Sequence, residues 1–261
     1  GTMCRLAAYI GPDISLQQFL LEPDHSLYKQ SWEPRELKYT KLNADGYGFG
    51  WFTDETEPST YTSSQPIWSD NNLPALARTL RFPLWLAEVR SATDGTPVHP
   101  FNTAPFHDDR LLYTHNGFIR DFHLRLLPEV TALLSADVQA SIRGNTDSEY
   151  LFACLRQFMT ADDEPDITAA LQQLYSWLAP RIGEQQALLN IVVSDGERIY
   201  ATRHGYNHEC ASLYYTTDDD LFPGGQLVAS ERFSEDSFWQ PVPEHHLLIL
   251  DPQNPPELLV L

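Results

Sequence analysis

Basic residues are scarce in this sequence. Lys and Arg total 17 against 36 Asp and Glu, a formal net charge of −19. Phosphate contacts need a basic surface, so a nucleic-acid partner is excluded, and adhesion to anionic lipid with it. Lysine occurs only at Lys29, Lys38 and Lys41, which leaves no basic run. Long apolar runs are also missing: no stretch approaches the ~18 residues that a membrane span needs. Nor is there a charged-then-apolar leader with a small-residue cleavage site, so secretion is not indicated. The three cysteines, Cys4, Cys154 and Cys210, are odd in number and show no CxxC spacing. That argues against a disulfide framework or a structural zinc, and it fits a cytoplasmic location.

Familiar catalytic signatures are absent as well. The chain has no GxSxG, no P-loop and no HExxH. The run Gly46-Tyr47-Gly48-Phe49-Gly50-Trp51 lacks the third glycine of a dinucleotide loop, and no helical pattern follows it. Alternate glycines on a strand instead let a second backbone or a ligand come close. The nine histidines are scattered. Only His245 and His246 adjoin, and neighbours along a strand point to opposite faces, so neither a metal site nor a cofactor is expected.

What the chain does have is 42% hydrophobic residues, enough for a core. Apolar strands are predicted over 4–10, 47–52, 84–89 and 111–114, and again over 187–193, 199–203, 213–216, 227–230 and 246–250. Helical spacing is predicted over 15–21, 72–80, 124–134, 146–159 and 167–182. Ser194-Asp195-Gly196 reads as the turn of a hairpin. Strands gather at both ends with helices between, an α+β order rather than a doubly wound sheet. Gly1 and Thr2 precede Met3 and read as a remnant of tag removal. Residues 1–3 are thus expected to be a leader with the initiator Met, and residues 4–261 a single domain.

Four short segments carry chemistry: Cys4, Arg90-Ser91-Ala92-Thr93, Thr114-His115-Asn116-Gly117 and Thr146-Asp147-Ser148-Glu149. Cys4 can be a small buried hydrophobe. If Met3 is removed, however, its own α-amine, with a pKa of about 7.7–8.0, can take the proton of a thiol at about 8.5. Asn116-Gly117 between apolar runs reads as a hairpin turn. Such a turn would point the Asn116 amide and the Gly117 N–H outward, where they could bind an oxyanion. Arg90 ends a strand and can clamp a carboxylate, with the Thr93 hydroxyl assisting. Thr146-x-x-Glu149 is a capping box. It puts Asp147 in the first helical turn, where an acid is favoured and could hold an ammonium. A ligand with an α-carboxylate, an α-ammonium and a side-chain amide fits this set: glutamine, or a γ-glutamyl amide. Cys154, inside a helix, reads as an inert buried thiol.

Taken in order, these segments, with Cys4-Arg5-Leu6 as the first, resemble the class-II glutamine amidotransferases, which are N-terminal-nucleophile hydrolases. The resemblance implies a four-layer αββα sandwich of two stacked, mostly antiparallel sheets. It implies Cys4 as nucleophile with its own amine as base, and Asn116 and Gly117 as the oxyanion hole. It also implies Arg90 and Thr93 on the glutamyl carboxylate and Asp147 on the glutamyl ammonium. One departure is Asp94, where many members carry His.

A narrower resemblance is to the ergothioneine-biosynthesis amidohydrolases. It rests on Ser26-Leu27, Gln30-Ser31-Trp32, Pro34-Arg35, Asn43-Ala44-Asp45-Gly46, Pro66-Ile67-Trp68, Asn71-Asn72-Leu73, Ser212-Leu213-Tyr214 and Ala229-Ser230-Glu231. That branch removes glutamate from a γ-glutamyl-cysteine sulfoxide joined to hercynine, a trimethylated histidine. The expected partner is therefore a small γ-glutamyl substrate, and a homo-oligomer is compatible with the sequence. Two other readings stay open: a glutaminase subunit that feeds ammonia to a separate synthetase, and a non-catalytic γ-glutamyl-binding scaffold. Trp32, Tyr47, Trp51 and Trp68 are either core aromatics or walls for a trimethylammonium group.

Overall fold

The computed structural model describes residues 3–37, 42–92, 96–160, 166–235 and 238–261. In chain order, β1 (Arg5–Ser15) leads into two short helices, α1 (Leu16–Leu20) and α2 (Leu27–Gln30). Next come β2 (Tyr47–Trp51), β3 (Ser59–Ser63), α3 (Leu73–Thr79), β4 (Arg81–Val89), β5 (Phe106–His107) and β6 (Leu112–Ile119). The helical middle holds α4 (Leu127–Leu133), α5 (Ala136–Ala140), α6 (Asp147–Met159) and α7 (Ile167–Ile182). The last third is β7 (Ala187–Ser194), β8 (Ile199–Arg203), β9 (Gly205–Tyr206), β10 (Tyr214–Thr216) and β11 (Gln226–Ala229). It closes with β12 (Gln240–Pro241), β13 (His246–Asp251) and β14 (Asn254–Val260).

These strands form two antiparallel sheets. The first runs β12-β10-β11-β1-β4-β2-β3, and the second β14-β13-β8-β7-β6-β5, with β9 beside β7. Side chains of a strand alternate between faces, and both faces here are apolar. Leu6, Ala8 and Ile10 of β1 pack with Leu84 and Leu86 of β4, Leu112 of β6 and Val192 of β7, between the sheets. Ala7 and Tyr9 turn the other way, with Trp85 and Ala87, onto α1 and α3. On the far side Tyr113, Leu189, Ile191 and Val193 meet Leu151, Leu155, Leu171, Leu174 and Leu178 of α6 and α7. The result is helix, sheet, sheet, helix, the four-layer αββα order. Among the described residues, no helix is long and apolar enough to cross a membrane.

The structure corrects several expectations. Asn116-Gly117 is not a turn; both residues lie inside β6, opposite Asn190 and Leu189 of β7. The glycine there serves a close approach. At φ 148°, a Cβ on Gly117 would sit 1.9 Å from the Leu188 carbonyl oxygen, so no other residue fits. The helix expected over 124–134 starts as a π-helical turn, Phe122–Leu126, and becomes α-helical at α4, with Pro128 in its first turn. His245 precedes β13 at φ 60°, so it and His246 are not successive strand residues. Strands β3 and β14 escaped the apolar pattern, because β3 is Ser/Thr-rich and β14 is an edge strand with two prolines. The alternate glycines of β2 behave as expected: a Cβ on Gly48 would meet the Ala104 carbonyl oxygen at 2.2 Å. The hairpin through Ser194-Asp195-Gly196 joins β7 to β8.

Candidate active site

Strand alternation gathers polar groups at one end of the inter-sheet layer. In β4, Glu88 shares the face of Leu84 and Leu86; in β6, Thr114 and Asn116 share the face of Leu112. Cys4 stands just before β1, where Arg5 pairs with Val89. Cys4 thus comes beside the end of β4. A small cavity of about 30 Å³ is lined by Cys4 with Glu88, Arg90, His115, Gly117 and Asp147, among others. Four of the six residues singled out from sequence therefore meet in one place: Cys4, Arg90, Gly117 and Asp147. Asn116 is fully buried on the inter-sheet face and is not among the lining residues; its Nδ2 lies 3.5 Å from Ser230 Oγ. Thr93 and Asp94 lie outside the described residues.

Each group is held by its neighbours. The Ser91 N–H points at Cys4 Sγ from 3.4 Å, and Sγ is 3.7 Å from the Ser91 carbonyl oxygen. The buried Arg90 guanidinium donates from Nη1 to the Pro97 carbonyl (3.2 Å) and from Nη2 to Thr96 Oγ1 (3.4 Å). The Asp45-Gly46 step fixes this corner. Asp45 Oδ2 accepts from Ala92 N–H at 2.8 Å, and Gly46 O accepts from Arg90 N–H at 2.9 Å.

Asp147 opens α6. Its Oδ2 accepts from the Ile119 N–H (3.0 Å) and its Oδ1 from the Ser148 N–H (2.8 Å), which ties the helix start to β6. The expected capping box is half made. Thr146 Oγ1 accepts from Glu149 N–H, while the Glu149 carboxylate takes the N–H groups of Arg143 and Gly144 instead. His115 is buried, and burial pushes its pKa down. Its Nε2 donates to the Leu188 carbonyl (2.9 Å), so Nδ1 accepts from the Ser148 hydroxyl (2.7 Å), the arrangement of a neutral imidazole.

Two carboxylates were not recognised from sequence as belonging here. Glu88 is buried between the sheets, and the Thr114 hydroxyl donates to it. Burial pushes its pKa up to about 7, against the pull of the Thr114 and Cys4 hydrogen bonds and of Arg90. The Cys4 thiol is pushed up too, by burial first and the Glu88 charge second; the Ser91 N–H and Arg90 offset only part of this. The one sequence signal for Glu88 was a lone acid in an apolar run. The second is Glu231, fully buried, whose contacts hold the chain on either side of the site. Arg5 Nη1 donates to its Oε2 (2.9 Å), His25 Nε2 lies 2.8 Å from its Oε1, and the Arg35 N–H reaches Oε1 at 2.8 Å. Arg5 also donates from Nε to the Cys4 carbonyl at 2.8 Å, so this cluster sets the backbone of Cys4.

The state of Glu88 leads to a pH prediction. Its folded pKa, about 7, exceeds the roughly 4.3 of a free glutamate. The folded state therefore favours the protonated form. The stability this contributes is complete below the unfolded pKa and is lost as pH rises through about 7. Glu88→Gln should flatten the stability profile across that window, read from urea midpoints. It should also move the pH midpoint of Cys4 alkylation down by on the order of one unit, because a nearby negative charge is gone. An unmoved alkylation midpoint would show that Glu88 does not act on the sulfur.

The four aromatics considered as a cage are not brought together. Tyr47 packs on Tyr61 and donates to Asp70, Trp51 stacks on Phe82, and Trp32 lies under Lys29. Trp68 is partly exposed, at 40%. Cys154 is fully buried, its pKa pushed up to about 12 by burial.

Comparison with known proteins agrees with this architecture. Residues 19–217 match the model of the class-II glutamine amidotransferases. The chain is 30% identical, over 94% of its length and 95% of the relative's, to a protein named gamma-glutamyl-hercynylcysteine sulfoxide hydrolase from Mycolicibacterium smegmatis. A glutamine aminotransferase class-II domain protein from Silicibacter pomeroyi superposes with a TM-score of 0.69 at 24% identity, covering 98% of this chain and 99% of that one. The glutamine phosphoribosylpyrophosphate amidotransferase of B. subtilis superposes with a TM-score of 0.66 at 13% identity, covering 98% of this chain and 49% of that one. These two likenesses extend to the fold. On the family match and the fold together, the chain belongs to the class-II glutamine amidotransferases and is an amidohydrolase of that type.

Proposed function

We propose that the chain hydrolyses the amide of a γ-glutamyl substrate through a thioester on Cys4, with γ-glutamyl-hercynylcysteine sulfoxide as the substrate. The observation that carries this reading is the single cavity shared by Cys4, Arg90, Gly117 and Asp147. A fixed guanidinium and a fixed carboxylate stand there with one half-buried thiol, which matches the two charged ends of a glutamyl group and its electrophilic carbon. The name of the 30% identical relative supports the choice of leaving group.

The reaction then runs in two steps. With Met3 removed, the α-amine of Cys4 takes the thiol proton and the thiolate attacks the γ-carbonyl carbon. The oxyanion is held by the Gly117 N–H, which lines the cavity, and by the Asn116 amide once it turns from Ser230 Oγ to the substrate. The protonated amine passes its proton to the leaving nitrogen, the C–N bond breaks, and a glutamyl thioester remains on Cys4. Water, deprotonated by the same amine, cleaves that thioester and releases glutamate. Arg90, with Thr93, grips the glutamyl carboxylate and Asp147 the ammonium. We place the enzyme in the cytoplasm, where its three free cysteines persist.

The test is hydrolysis of glutamine, glutathione and γ-glutamyl-hercynylcysteine sulfoxide by one preparation beginning at Cys4. The expected result is the highest kcat/KM on the sulfoxide. A preference for glutamine would instead favour an ammonia-delivering subunit. Hydrolysis of none, with no single cysteine trapped by a glutamine-like electrophile, would leave a binding scaffold.

A further inference from the structure

A second and larger cavity, about 380 Å³, opens beside the chain neighbours of the nucleophile. Met3 and Arg5, the two residues flanking Cys4, line it, and so does Leu188, whose carbonyl meets Gly117 and His115 of the first cavity. Met3, which lines this space, is bonded through its carbonyl carbon to the backbone nitrogen of Cys4. In the proposed reaction that nitrogen, once a free amine, protonates the leaving nitrogen. The leaving group must then depart on the amine's side, and the larger cavity is lined by the residues on either side of that amine. Ammonia would need no such volume.

Among the groups lining this cavity, Glu36 and Tyr214 form a pair. The Tyr214 hydroxyl donates to Glu36 Oε1 at 2.6 Å, and burial and the Glu36 charge push the Tyr214 pKa up to about 12. The Glu36 backbone N–H reaches Glu231 Oε2 at 3.3 Å, so the backbone that carries this carboxylate is anchored to the same buried cluster that sets Cys4. A quaternary ammonium offers no hydrogen to donate. It is recognised instead by an aromatic ring and by a carboxylate that needs no directional bond. Arg203 lines the same cavity; its hydrogen bonds to the Ala211 and Val242 carbonyls, both 2.9 Å, fix it, and it supplies a positive charge. Charges of both signs in one lining suit a zwitterion.

Resting on the substrate reading above, we propose that Glu36 and Tyr214 form the subsite for the quaternary ammonium of a betaine leaving group. They thereby determine specificity for the part of the substrate beyond the scissile amide. Arg203 faces the carboxylate of the same group. None of these residues touches the reacting atoms, so their effect falls on the choice of leaving group.

The test compares two substrates that share the γ-glutamyl-cysteine sulfoxide core, one carrying the trimethylammonium betaine and one carrying S-methyl in its place. Glu36→Gln keeps the size and the hydrogen bond to Tyr214 but removes the charge. It should lower the ratio of kcat/KM for the betaine substrate over the truncated one by about tenfold, mainly through KM. Tyr214→Leu, which removes the ring and keeps the acid, should lower the same ratio. An equal loss on both substrates, or an unchanged ratio in both variants, would overturn the subsite. If the wild-type enzyme hydrolyses glutamine and neither sulfoxide, the substrate reading fails by itself. The subsite is then judged by calorimetry with hercynine. Binding by the wild type that weakens about tenfold in Glu36→Gln upholds it, and no binding overturns it.

Discussion

A preparation that keeps any residue ahead of Cys4 is expected to turn over about 10²–10⁴ times more slowly than one that begins at Cys4, the usual contribution of a positioned acid–base group. The reason lies in the surroundings of the sulfur. Burial and the Glu88 charge both disfavour the thiolate, so without a base the nucleophile stays protonated at neutral pH. An amide nitrogen at Cys4 cannot accept a proton; a terminal amine, with a pKa of about 7.7–8.0, can.

Other groups near the sulfur do not replace it. Arg90 carries no free pair, and the Ser91 N–H donates to the sulfur. His115 has both ring nitrogens engaged, with Ser148 and with the Leu188 carbonyl. The exception is Glu88, whose carboxyl, near a pKa of 7, makes a hydrogen bond with Cys4. The comparison therefore includes Glu88→Gln in both preparations. Equal turnover with and without Met3 would refute the terminal-amine mechanism. If that shared activity then vanished in Glu88→Gln, the proton would be assigned to Glu88.

The sequence shows the order of strands and helices because both sheet faces are apolar and α6 and α7 repeat at helical spacing. It does not show where a polar residue points once every neighbour is buried. Asn116-Gly117 illustrates this. The dipeptide has the composition of a turn, yet its glycine answers to the Leu188 carbonyl of β7, a contact 71 residues along the chain. Thr146 was legible as a helix cap because that signal is local. Its partner Glu149 was not fully legible, because its carboxylate turns back to Arg143 and Gly144. Glu88 and Glu231 were invisible as site residues for the same reason. Each is a single acid whose meaning depends on groups brought in from Thr114, Arg5, His25 and the 35–36 backbone.

Glu231→Ala should show how much of the site depends on one such long-range contact. Burial alone would raise this carboxyl's pKa, but the His25 hydrogen bond and the Arg5 charge outweigh it and hold the group below the usual carboxylate range. Its contribution is thus of opposite sign to that of Glu88: present above the unfolded pKa and lost as pH falls through the folded one. Removing the carboxylate strands the buried Arg5 guanidinium and frees the N–H groups of Arg35 and Glu36. Breaking a buried pair by deleting one partner typically costs about 3–5 kcal/mol. The same size of loss is expected here from urea midpoints at neutral pH. Glu231→Gln, which can still accept hydrogen bonds, should lose less. Activity should fall with Glu231→Ala even under conditions where the variant is fully folded, because Arg5 then no longer holds the Cys4 carbonyl in a fixed position. A variant within about 1 kcal/mol of wild type, the range of an exposed ion pair, would mean that Arg5 finds water or another acceptor, and the cluster would not be what positions the nucleophile.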